Sequence, residues 1–166
     1  MNTHHGGNPG PLLERIFLRI QEERMRDVPL LNPRLRVEAV GFRPREDGWC
    51  GILITPWFMN LIQLPGAGAD CAHLRVGASL RREFPAGTVE SIVAHETELG
   101  HYLTCSLYSP MFEFPTQNHA VATAQNVLQA LFEPPAKTRP PEKARRPVSR
   151  RDLFRSLLST SGAPQR

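Results

Sequence analysis

The chain has 166 residues, with 20 Lys+Arg against 16 Asp+Glu, 16 Pro, 12 Gly and 3 Cys. That length permits one domain with a real core plus appendages, and 40% apolar with 22% charged residues excludes wholesale disorder. The odd set Cys50, Cys71 and Cys105 excludes a disulfide framework and suits a reducing compartment. The net charge of +4 is unevenly placed: residues 1–133 carry 11 Lys+Arg and 14 Asp+Glu, so residues 134–166 supply all the excess. An acidic body argues against nucleic acid as a partner.

Residues 1–10 lack apolar periodicity and read as a flexible terminus without the apolar stretch of a secretory signal. From Pro11, Leu12, Leu13, Ile16, Phe17 and Ile20 recur at helical spacing, and Pro29 and Pro33 end the helix. Leu35, Val37, Ala39 and Gly41 then alternate with Arg36, Glu38, Val40 and Phe42 as a strand, closed by the turn signal Glu46-Asp47-Gly48. Trp49–Thr55 is β-rich and apolar on both faces, as a central strand is. Pro56 interrupts it, and Trp57–Leu64 resumes. Further strands are expected at 78–84, 89–95 and 102–107, and a last helix from Thr116 to Phe132. Helix, strand run and helix in that order predict an α+β fold: an antiparallel sheet flanked by an N-terminal and a C-terminal helix, with the helices on one face. A disordered basic tail follows.

Two groups of residues invite chemistry. His95, Glu96 and His101 with Cys105 suggest a metal site or hydrolase, but a zinc-protease helix needs His at i and i+4, whereas position 99 is Leu99. The three cysteines have no C-x-x-C pair, and no cofactor is expected. The second group is apolar: Thr55-Pro56-Trp57-Phe58-Met59 and Ser109-Pro110-Met111-Phe112-Glu113. The first of these reads either as a core strand entered through a bulge at Pro56 or as an adaptable groove for apolar peptides.

The runs VEAVGF (37–42), GILITPWFMNLIQLP (51–65), FPAG (84–87) and LGHYLTCSLYSPMFEF (99–114) resemble the HybE/HupJ family of nickel–iron hydrogenase assembly chaperones across residues 11–133. The resemblance implies a cytoplasmic, non-enzymatic domain without membrane insertion. It implies contact with the small-subunit precursor of a hydrogenase and its twin-arginine signal peptide, with the large subunit and other maturation proteins as further contacts. On that reading Thr55, Pro56, Trp57, Phe58, Met59, Tyr102, Ser109, Pro110, Met111 and Phe112 form the peptide site, and Glu96, Glu98 and Glu113 accept guanidinium groups. Some relatives carry a rubredoxin-like module, for which these residues hold no C-x-x-C pair.

The basic tail has a message of its own. Residues 134–148 form a Pro-rich linker, and Ser149-Arg150-Arg151-Asp152-Leu153-Phe154-Arg155 resembles the twin-arginine export motif without the apolar stretch an export signal needs. Arg150, Arg151, Leu153 and Phe154 are therefore expected to mimic the client's signal peptide.

Overall fold

A computed structural model describes residues 7–66 and 71–135; the expected flexible terminus and basic tail lie mostly or wholly outside the described residues. Helix α1 (Gly10–Arg24) precedes six strands, β1 (Glu38–Arg45), β2 (Gly48–Ile54), β3 (Met59–Pro65), β4 (Ser79–Phe84), β5 (Gly87–Glu96) and β6 (Gly100–Tyr108), and helix α2 (Gln117–Phe132) closes the domain. The strands form one antiparallel sheet in the order β1-β2-β3-β6-β5-β4. The chain thus leaves β3 for the far edge, and the β4–β5 and β5–β6 hairpins bring it back beside β3. The fold is α+β, as the element order predicts.

The expectation of helices on one face is corrected. On β2, Cys50, Ile52 and Ile54 pack with Ala120, Ala124, Val127, Leu128 and Leu131 of α2, whereas Leu53 packs with Leu13, Ile16, Phe17 and Ile20 of α1. Successive strand residues point to opposite faces, so α1 and α2 cover opposite sides of the sheet. The two-faced apolarity of β2 has this cause: Ile52, Leu53 and Ile54 are all 0% exposed, and each contributes about 1.5–3 kcal/mol by leaving water.

The first strand is also displaced from its expected span. It begins at Glu38 and runs to Arg45, because a one-residue bulge between Val40 and Arg43 re-aims the edge. Gly41 makes the bulge possible: its φ is +62°, and a Cβ there would stand 2.5 Å from Leu128 Cδ1. Pro44 fits because β1 is an edge strand. Leu35 and Val37 precede the strand and join different cores. Gln117 fixes this lead-in, accepting from Arg36 N at 2.9 Å and donating to Glu38 Oε2 at 2.8 Å.

The sheet curls around α2. Its two edges meet where Arg45 Nη2 donates to Glu83 O (2.9 Å) and Arg82 pairs with Asp47 (3.3 Å). The Arg45 guanidinium also lies 4.0 Å from the Phe84 ring centroid. Thr116 caps α2 by accepting from His119 N. On the opposite face α1 is lashed to the β5–β6 hairpin: Arg15 and Arg19 pair with Glu98, and Arg24 holds Glu96 through its Nη1 and Nη2 at 3.2 and 3.3 Å. Among the described residues no helix is long and apolar enough to cross a membrane.

Candidate functional site at the Asn32 junction

The segment Thr55–Phe58 is the turn of the β2–β3 hairpin, so Trp57 and Phe58 do not belong to a resumed strand, which starts only at Met59. Thr55 organises the turn. Its N–H donates to Phe58 O (2.8 Å), and its Oγ1 accepts from Trp57 N (3.2 Å) and Phe58 N (2.9 Å). With two backbone donors satisfied by one buried hydroxyl, the turn can project two aromatic residues side by side. Trp57 and Phe58 are half-buried with ring centroids 5.5 Å apart, and Phe58 lies 5.8 Å from Phe17 of α1.

The second apolar stretch follows β6. A bulge at Leu107, opposite Met59 and Asn60 of β3, offsets the end of β6, the Ser109–Pro110 bond is cis, and Met111 and Phe114 turn inward as Phe112 and Glu113 turn out. Phe112 is 54% exposed. Burial raises the Tyr108 phenol above its ordinary pKa, and the nearby Glu113 carboxylate adds to the shift.

One residue joins the two stretches. Asn32, only 4% exposed, donates from Nδ2 to Met111 O (3.0 Å) and Phe114 O (2.9 Å), while its own N–H donates to Pro56 O (2.8 Å). Its Oδ1 accepts from Arg34 N at 3.1 Å. Ser109 Oγ adds a longer contact to Trp57 O, 3.5 Å. The result joins the turn that carries Trp57 to a loop that exposes Ser109, Pro110, Phe112 and Glu113, with exposed Leu30 two residues before Asn32. Sequence reasoning missed Asn32 because its partners lie 79 and 82 residues away. The available signal was a polar residue inside the otherwise apolar run Leu30-Leu31-Asn32-Pro33.

The sequence-derived set divides on this frame. Trp57 and Phe58 are half-buried, and Ser109, Pro110, Phe112 and Glu113 are exposed. Thr55, Pro56, Met59, Met111 and Tyr102 are buried and hold the scaffold. Burial pushes the Tyr102 phenol up to about 12, in keeping with a core role. Glu96, Glu98 and Tyr102 lie toward the other end of β6 from Tyr108, roughly 20 Å or more of extended strand away. Glu96 and Glu98 already hold arginines of α1, and the Glu98 carboxyl is drawn below its usual range by the hydrogen bond from Arg19. That leaves Glu113 as the exposed carboxylate of the set beside the aromatic surface.

The metal or hydrolase set does not converge. His95 and His101 face each other across β5 and β6, with ring centroids 4.9 Å apart. Cys105 lies four residues farther along β6, and Glu96 is bound by Arg24. Among the described residues no group of three or more His, Cys, Asp and Glu side chains is placed to hold a metal ion. Cys50 is fully buried, and that burial pushes its thiol up to about 12, far from the thiolate a nucleophile needs.

A family model described as NiFe-hydrogenase assembly, chaperone, HybE matches residues 8–156. Hydrogenase expression/formation protein HupJ of Bradyrhizobium diazoefficiens is 40% identical over 153 residues, covering 90% of this chain and 89% of that protein. Probable rubredoxin HupJ of Rhodobacter capsulatus is 48% identical over 117 residues, 70% of this chain, and this chain spans 42% of that protein's length. The solution structure of HybE from Escherichia coli superposes with a TM-score of 0.62 at 24% identity, covering 86% of this chain and 88% of that one, a likeness of fold.

Proposed function

The chain belongs to the HybE family of nickel–iron hydrogenase assembly chaperones, and from this we propose that it holds the small-subunit precursor of a nickel–iron hydrogenase through the precursor's twin-arginine signal peptide, before export. The observation that supports the reading is the Asn32 junction, which ties the turn carrying half-buried Trp57 to the loop carrying exposed Phe112 and Glu113. An aromatic ledge with one acidic neighbour suits a peptide that combines apolar residues with arginine. The rings take up the apolar side chains, and the carboxylate accepts a guanidinium fork. No covalent step is required; the work is burial and pairing, with release as the client matures.

The test is capture of each hydrogenase precursor subunit by the full chain, with the signal peptide present and removed. The small-subunit precursor is retained only with its signal peptide, and replacing its two arginines by lysines, which keeps charge but loses the bidentate fork, weakens retention. Equal retention of the small subunit without its signal peptide, or retention of the large subunit alone, contradicts the reading.

A further inference from the structure

We propose that residues 149–154 of this same chain dock on the Asn32-centred surface and compete there with the client's signal peptide; this inference rests on the signal-peptide reading above. The segment reads Ser149-Arg150-Arg151-Asp152-Leu153-Phe154, an arginine pair followed by two large apolar residues, which is the chemistry that surface suits. The family match runs to residue 156, so the motif falls within the stretch the family model matches and is not an appended extra.

Charge and reach both favour the contact. Residues 134–166 carry 9 Lys+Arg against only Glu142 and Asp152, while the body to which they are tethered has the opposite net sign. The last described residue is Pro135, and the 14 residues from there to Ser149 can span up to about 46 Å. Helix α2, 16 residues and about 24 Å long, starts just after the loop that carries Phe112 and Glu113 and ends just before Pro135, so that loop lies within the tether's reach. Glu96 and Glu98 are held by Arg15, Arg19 and Arg24, so the acceptor open to Arg150 or Arg151 within the proposed set is Glu113. Leu153 and Phe154 then meet Phe112, Trp57 and Pro110. Tethering supplies an effective concentration of order 1 mM, at which a segment with an intrinsic Kd of about 100 µM covers the surface about nine-tenths of the time.

The experiment compares the full chain with a full-length variant carrying Arg150→Gln, Arg151→Gln, Leu153→Ser and Phe154→Ser. Backbone amide spectra of the two proteins are recorded without client, and a labelled synthetic peptide of the client signal sequence is titrated into each. The amides of residues 57–58, 109 and 111–113 shift between the two proteins, independently of protein concentration, and the peptide binds the variant about tenfold more tightly. Unchanged amides at these residues overturn the inference, as does a difference that grows with protein concentration, which is contact with the tail of a second copy. Peptide binding equal in both proteins with unchanged amides sinks the tail contact and leaves the signal-peptide reading standing. Tail-dependent shifts with no peptide binding to either protein do the reverse.

Discussion

Replacement of Asn32 by leucine lowers the unfolding free energy by about 3 kcal/mol, read as a drop in the urea midpoint with little change in slope. Leucine keeps the branched outline of the side chain and is the larger of the two, so no cavity forms. The loss comes from the carbonyls of Met111 and Phe114 and the N–H of Arg34, which lose their Asn32 side-chain partners. Each buried group left unpaired costs about 1–3 kcal/mol, and partial relaxation toward water holds each of the three near the lower end of that range. Asn32→Asp costs at least as much, because it keeps the acceptor for Arg34 but turns a carboxylate on two carbonyls. A loss below about 1 kcal/mol for Asn32→Leu shows that the two loops hold together without this side chain. The same variants scatter Trp57 and Phe112, so client binding falls with stability.

Replacement of Phe112 by serine separates binding from folding. The ring is 54% exposed and belongs to neither core, so stability changes by no more than about 0.5 kcal/mol. An aromatic anchor at the centre of a contact is worth about 2 kcal/mol or more, so affinity for the signal peptide drops at least about 30-fold in a fluorescence anisotropy titration. Glu113→Gln, in contrast, costs only several-fold and removes part of the salt dependence, because it deletes one exposed charge-assisted pair. A Phe112→Ser protein that binds within about twofold of the original places the peptide elsewhere.

Much of the fold was legible in the chain because local signals agreed with tertiary demand. Leu13, Ile16, Phe17 and Ile20 mark the buried stripe of α1, Thr116 the cap of α2, and Glu46-Asp47 the β1–β2 turn. The strand at 102–107 was found, and the structure extends it to Gly100–Tyr108. What local reading lost was relational. Two-faced apolarity along Trp49–Thr55 marked a central strand, yet it also required cover on both faces, a consequence the expected single helical layer ignored. Alternation through Val89, Ser91 and Val93 held for the buried face, but His95, next in that series, is exposed near the hairpin tip, where the sheet no longer has cover.

The candidate site was legible in composition but not in assembly. Both apolar stretches were recognisable, and the structure brings them together; the residue that joins them lies in neither. Glu96 and Glu98 looked available for a client because the sequence cannot show that Arg15, Arg19 and Arg24 of a helix more than 70 residues earlier already reach them. Met59 and Met111, which suggested a soft groove, are each 0% exposed and fill the core beneath it.

Backbone hydrogen exchange of the full chain, alone and with the small-subunit precursor bound, tests the central claim most directly. Slowed exchange concentrated at residues 57–58, 109 and 111–113, and lost when the precursor lacks its signal peptide, is the predicted result. A stable complex whose protection falls instead on the β5–β6 hairpin at residues 95–101, with residues 109 and 111–113 unchanged, contradicts it.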